Sequence, residues 1–256
     1  MNGMSKAILE VKDLRKTYPD GFEAVKGVSF DVKRGEVFGI LGPNGAGKTT
    51  TLEMIEGMRP ITSGAALLDG IDVQKQPYAV KERIGVQLQA SAFFPNMSLV
   101  ELLKLFSDLY AESSDAMELL REVGLEEKAR AEVKELSGGQ KQRFSIATTL
   151  VNKPLAIFLD EPTTGLDPQA RRNLWDLVEQ IKAKGTTVIL TTHYMEEAQV
   201  LCDRVAIMDE GKIIALDTPA KLIDKLLKSG FKPQTTVAPA TLEDVFIDLT
   251  GKELRD

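Results

Sequence analysis

Eight consecutive residues, Gly42-Pro43-Asn44-Gly45-Ala46-Gly47-Lys48-Thr49, carry the most specific chemistry in the chain. Glycines at 42, 45 and 47 let the backbone take left-handed turns and bring successive N–H groups toward an anion, where a Cβ would obstruct. The lysine after them supplies a mobile positive charge, and the threonine hydroxyl that follows is a hard oxygen ligand for Mg²⁺. Such a loop cradles the phosphates of ATP or GTP, with Lys48 reaching the β- and γ-phosphates and Thr50 extending the set into the next helix.

Three further groups could act on a bound phosphate. Asp160 and Glu161 are adjacent carboxylates at the end of the apolar run Leu155-Ala156-Ile157-Phe158-Leu159. Successive strand residues point to opposite sides, so the pair sets two different acids at the carboxyl edge of a parallel sheet, where ligands of α/β folds bind. Asp160 is expected to hold Mg²⁺ through water, and Glu161 to polarise an attacking water. His193 is the chain's only histidine; another apolar run, Val188-Ile189-Leu190, ends in Thr191-Thr192-His193, where the histidine could meet the γ-phosphate. In Leu136-Ser137-Gly138-Gly139-Gln140, Ser137 caps a helix expected over 140–150, and the two glycines leave backbone N–H groups open at its start.

The elements that must place these residues can be read from patterning. Val37, Phe38, Ile40 and Leu41 form a buried strand immediately before the phosphate loop, and apolar Leu52 and Ile55 mark a helix over about 49–56 that aims its positive end at the anion. Upstream, Ile8-Leu9-Glu10-Val11 and Val28-Ser29-Phe30-Asp31-Val32 alternate as half-buried antiparallel strands. Tyr18, held extended by Pro19, could stack its ring on a purine. Leu67-Leu68-Asp69-Gly70 reads as a strand and turn, and residues 83–89 as a core strand ending at Gln89, with Gln87 two places before it. Residues 90–135 then read as a helical insertion: Ser98-Leu99-Val100-Glu101 is a capping box, and a second helix over about 115–123 stops at Gly124. Asp167-Pro168 starts a helix ending at Gly185, which fixes the Gly165-Leu166-Asp167 loop before it. A hairpin over 205–216, a helix over 220–228, a polar linker and a short helix over 241–249 complete the chain.

With 256 residues, 43% hydrophobic and 27% charged, the composition is that of a soluble globular protein. No apolar run approaches the roughly 18 residues of a membrane span, and the polar start lacks a signal-peptide core, so the chain is expected to stay on the cytoplasmic side. A net charge of −6 without a basic cluster argues against a nucleic-acid partner. The single cysteine, Cys202, has apolar neighbours and reads as a buried, unreactive side chain in a reducing compartment.

Taken in order, the phosphate loop, Gln89, the 136–140 segment, Asp160-Glu161-Pro162, the Gly165-Leu166-Asp167 loop and His193 make the chain resemble the ATP-binding subunit of an ABC transporter over essentially all of residues 6–250. The resemblance implies an α/β fold, a P-loop NTPase (RecA-like) parallel-sheet core with an N-terminal antiparallel β subdomain and an α-helical insertion. The nucleotide-binding domain is expected over 6–228, with a short C-terminal linker and helix over 229–256. ATP and Mg²⁺ are implied as cofactors. Tyr18 becomes the adenine-stacking residue, and Gln89 a contact to Mg²⁺ or the attacking water, preferred over Gln87 as the last residue of the apolar run.

The resemblance further implies a head-to-tail homodimer. Ser137, Gly138, Gly139 and Gln140 of one copy would cap the ATP of the other, with Leu166 and Asp167 at the contact. Glu161 would be the general base, with His193 holding it and the γ-phosphate in register, while Lys48, Mg²⁺ and the partner copy's signature spread developing charge. Met195-Glu196-Glu197-Ala198, Leu201-Cys202-Asp203-Arg204 and the ending Thr241-Leu242-Glu243-Asp244-Val245-Phe246 are similar to ATPase subunits of drug, ion and polysaccharide exporters with a separate permease. Such a permease is expected to dock near Ala92-Phe93-Phe94-Pro95, with the chain peripheral at the cytoplasmic face of the cell membrane; Phe93 and Phe94 could both serve, or one could pack in the core. Two other readings stand beside export: a soluble ATPase acting on nucleic acid or ribosomes, and a nucleotide-gated subunit of a non-transporting membrane complex.

Overall fold

The computed structural model describes residues 7–88, 93–110 and 114–231, together with Val245, Asp248 and Leu249. Strands β1 (Ala7–Thr17) and β2 (Glu23–Lys33) alternate buried and open positions, as their sequences alternate apolar and polar residues. They pair antiparallel, and β4 (Ser63–Leu68) and β5 (Ile71–Asp72) extend the layer in the order β2-β1-β4-β5.

The second sheet runs β10-β9-β3-β8-β7-β6 among the described residues. Its strands β3 (Val37–Leu41), β6 (Ile84–Gln87), β7 (Ala156–Asp160), β8 (Thr187–Thr192) and β9 (Arg204–Asp209) are parallel, while β10 (Lys212–Asp217) returns antiparallel to β9 as the expected hairpin. β3, β7 and β8 are buried throughout, which is why they read as continuous apolar runs. Alternate residues feed two cores. Phe38, Ile40, Phe158 and Ile189 face the antiparallel sheet and helix α1 (Lys48–Ile55), whereas Val37, Leu41, Ile157, Leu159, Val188 and Leu190 face the helices of the opposite layer. Phe30 and Phe38 stack across the sheet interface with centroids 5.1 Å apart.

After α2 (Pro77–Lys81) and β6, the chain makes α3 (Leu99–Ser107) and α4 (Ala116–Glu122). Ser98 and Glu101 form the expected capping box, and Asp115 caps α4, which ends before Gly124 in the left-handed region. Helix α5 (Gly138–Thr149) begins two residues earlier than the sequence suggests, because Ser137 caps it directly and both glycines enter the first turn. Phe93 packs 5.2 Å from Phe144, joining the insertion to the core, whereas Phe94 is 60% exposed. Gln89 and Ala92 lie outside the described residues, as do six of the nine residues of the helix expected over 241–249. Helices α6 (Pro168–Ala183) and α8 (Pro219–Lys228) form where expected, and a further helix, α7 (Met195–Leu201), follows β8.

The topology brings the chemistry together. β3 neighbours β8 and β8 neighbours β7, with Leu41 opposite Thr192 and Asp160 opposite Thr191. The phosphate loop, His193 and the Asp160-Glu161 pair therefore leave one sheet edge at one level.

Candidate nucleotide site

The glycines of the phosphate loop are fixed by close packing as well as by turn geometry. A Cβ on Gly47, whose φ is +99°, would lie 2.5 Å from the Ala24 carbonyl oxygen, and one on Gly42 would lie 2.1 Å from that of Met208. The backbone thus bends onto β2 and β9 and directs Lys48 and Thr49 toward a cavity of about 560 Å³. Tyr18, Phe22, Asn44, Gly45, Gly47, Lys48, Thr49, Thr50, Glu161, Thr164 and His193 line it.

Lys48 is almost wholly buried, and its Nζ donates to the carbonyls of Gly42 at 2.8 Å and Pro43 at 3.2 Å. The same Nζ is 3.2 Å from Glu161 Oε1. Asp160 is buried below it, accepting from Thr49 Oγ1 at 3.0 Å and from the Thr191 hydroxyl at closer range. Two hard oxygen donors held together suit Mg²⁺, which commonly takes one carboxylate and fills its remaining positions with water and substrate phosphate.

The strand ends at Asp160, and Glu161 turns out of it with φ +49°, so its separation from Asp160 comes from a left-handed turn as well as strand alternation. The Glu161 amide donates to Thr191 Oγ1 at 3.0 Å, and Thr164 Oγ1 donates to Glu161 Oε2 at 3.3 Å. His193 Nδ1 stands 3.3 Å from that oxygen without hydrogen-bond alignment. Burial pushes the Glu161 carboxyl up, but Lys48 and then His193 outweigh it and hold the group below the usual carboxylate range. Glu161 is thus ionised at neutral pH and able to accept a proton.

At the far end of the cavity the Tyr18 and Phe22 rings lie stacked, 6.3 Å between centroids. Tyr18 Oη is 3.5 Å from Thr50 Oγ1, and the Arg59 guanidinium sits 5.4 Å from the Tyr18 ring centre. Phe22 and Thr191 escaped the sequence reading. Phe22 reaches the site through a turn in which the Tyr18 amide donates to the Phe22 carbonyl, and Thr191 matters through its register opposite Asp160. Gln87 is buried on β6 and does not line the cavity.

Ser137, Gly138, Gly139 and Gln140 do not line it either. Ser137 Oγ accepts from the Gln140 amide at 3.3 Å while Gln140 Oε1 accepts from the Ser137 amide at 3.0 Å, and Ser137 and Gly138 face outward. A Cβ on Gly139 would meet Ala170 Cβ at 2.9 Å, so the segment rests against the start of α6. There Asp167 caps the helix, accepting from the amides of Gln169 and Ala170 at 3.0 and 2.9 Å, and Leu166 packs on the core.

Comparison with known proteins decides the family, for the model of the ABC transporter family matches residues 25–164. The chain belongs to the ABC transporter family. This ABC ATPase is 37% identical to the Nod factor export ATP-binding protein I of Burkholderia orbicola, with 99% of this chain and 100% of that protein aligned. It is 40% identical to the linearmycin resistance ATP-binding protein LnrL of Bacillus subtilis, over 86% of this chain and 72% of that one. Among solved structures, an ATP-binding subunit of an ABC transporter superposes with TM-score 0.81 at 30% identity, covering 95% of this chain and 99% of the other. A dimeric ATP-binding cassette in a post-hydrolysis state, bound to ADP and Pi, superposes with TM-score 0.74 at 28% identity, covering 82% of this chain and 98% of the other. The ABC ATPase hydrolyses ATP and uses Mg²⁺ with it. No helix among its described residues is long and apolar enough to cross a membrane.

Proposed function

We propose that this ABC ATPase drives export through a separate integral membrane permease, binding peripherally at the cytoplasmic face of the membrane. The observation that carries its chemistry is the convergence of Lys48, Glu161 and His193 in one cavity with the Thr49–Asp160 pair beneath them. The nucleotide would occupy residues 42–50, with the adenine against Tyr18 and Phe22 and the γ-phosphate near Lys48 and His193. Thr49 and Asp160, with Gln89 in addition, would hold Mg²⁺, whose contribution when bound is to neutralise phosphate charge.

Glu161 acts as general base toward water aligned behind the γ-phosphate, and His193 keeps the carboxylate in place. Lys48 now lies against Glu161 and lowers its proton affinity. As Lys48 turns to the phosphates, that restraint is lost and the nearby anion strengthens Glu161 as a base, so base strength follows substrate binding.

Outward-facing Ser137 and Gly138 support a head-to-tail homodimer in which one copy covers the nucleotide of the other, with Leu166 and Asp167 at the junction. Residues 6–228 would make up the nucleotide-binding domain, residues 90–135 its helical subdomain, and residues 229–256 a short C-terminal linker and helix. Exposed Phe94 supports permease docking near residues 92–95.

Steady-state ATPase of Glu161→Gln tests the base: turnover should fall by at least about 100-fold with ATP binding retained, and full turnover would overturn the assignment. Gentle membrane solubilisation and capture of the tagged protein tests the export reading. A stoichiometric integral membrane protein is expected; ribosomes or a nucleic-acid particle would sink it.

A further inference from the structure

Glu197 is fully buried on α7, and the catalytic scheme above gives it no part. A carboxyl removed from water is costly unless neighbouring donors hold it. Its Oε1 accepts from Trp175 Nε1 at 3.2 Å, and Trp175 belongs to α6, the helix that opens directly after Asp167. Burial raises the Glu197 pKa, and the Thr192 and Thr163 hydroxyls, Trp175 and Arg171 pull against that rise.

These neighbours come from the three segments that carry the chemistry. Thr163 lies two residues beyond Glu161 and its carbonyl accepts from the Leu166 amide at 3.1 Å, so it is tied to the loop entering α6. Thr192 immediately precedes His193. Its Oγ1 accepts from the Tyr194 amide at 2.9 Å, leaving the hydroxyl proton directed elsewhere. The Tyr194 ring contacts the His193 ring, with centroids 4.1 Å apart, and the Arg171 guanidinium of α6 covers it at 4.5 Å. Glu197 Oε2 and Thr163 Oγ1 are both buried and lack an aligned hydrogen-bond partner among the described residues.

We propose that Glu197 is a positioning residue whose buried carboxyl links the loop after Glu161 and the start of α6 to the segment bearing His193. Movement at Leu166 and Asp167 then reaches the reacting groups. The inference rests on the roles given above to Glu161 and His193. A group that only filled space would stabilise the fold but would not act through His193.

The full-length protein supplies its own reporter, because Trp175 is its only tryptophan and bonds Glu197 directly. Glu197→Gln keeps the shape and changes the bonding, while Glu197→Ala removes it. In both, kcat should fall roughly 10–100-fold with ATP affinity unchanged, the loss expected when reacting groups are misplaced by a fraction of an ångström to an ångström. In His193→Ala the further Glu197→Gln change should cost little, because the two act as a unit. ATP should alter Trp175 emission in Glu161→Gln and fail to alter it in the Glu161→Gln/Glu197→Gln double variant. Wild-type turnover in Glu197→Gln would overturn the proposal. So would losses that multiply with His193→Ala, or a joint fall in ATP affinity and thermal stability that marks a purely structural role. Should Glu161→Gln itself retain full turnover, the underlying catalytic reading fails instead, and the two failures are told apart.

Discussion

A Cβ at position 42 would enter the space of the Met208 carbonyl oxygen, whereas one at Gly230 would meet nothing within 4 Å. Gly42→Ala should therefore weaken ATP binding and lower Tm together. Gly230→Ala should cost only the left-handed strain, about 1–2 kcal/mol, with turnover unchanged in an ATPase assay. Glu56 offers a pH test. Burial first, then Asp160 and Glu53, push its carboxyl from 4.5 up to about 8. Between those values the folded protein binds more protons than the unfolded chain, so Glu56 makes stability fall as pH rises through the window. In nucleotide-free, magnesium-free buffer, Glu56→Gln should flatten that part of the Tm-against-pH curve; an unchanged slope would contradict the assignment. The residues legible in the sequence were those whose chemistry is local. The phosphate loop announces itself by spacing, and Asp160, Glu161 and His193 by ending apolar runs. Phe22, Thr191 and Glu197 act through partners between 4 and 31 positions away, and no short pattern records such pairings.

Helix starts carry both stability and, at one place, function. Ser98 and Ser137 make the same capping box, so alanine at either should cost about 1 kcal/mol in denaturant unfolding. Only Ser137→Ala should also slow ATP turnover, because its hydroxyl faces outward where the partner copy's nucleotide would sit. Equal turnover in the two variants would leave Ser137 a cap alone. The elements themselves were largely readable: buried strands gave apolar runs, and Ser98, Asp115, Asp167 and Gly124 marked helix ends by their side-chain chemistry. The start of α5 differs from the sequence expectation because two glycines look like a loop, whereas here both enter the first turn and Gly139 gives the close approach to α6 that Ala170 demands. Which of Phe93 and Phe94 is buried depended on where Phe144 lies, and helical periodicity alone does not supply that.

At the scale of the molecule, residues 137–140 do not line the cavity, and in the proposed head-to-tail pairing they would complete the site of the other copy. ATPase activity per chain should therefore rise with protein concentration until dimers saturate, steeply in dilute solution; strict proportionality to concentration over the whole range would mean that one copy suffices. The order of strands was legible only in part, since the sequence marks which segments are strands, while the β3-β8-β7 adjacency arises from long-range pairing. The thiol of Cys202 fills the space that a side chain at Gly39 would need, 2.6 Å from where its Cβ would be, and burial pushes its pKa well above 9. The folded ATPase is thus a natural blank for thiol chemistry. A maleimide dye should ignore it until it unfolds, and one cysteine introduced on the surface can carry a single label with the native sequence otherwise intact.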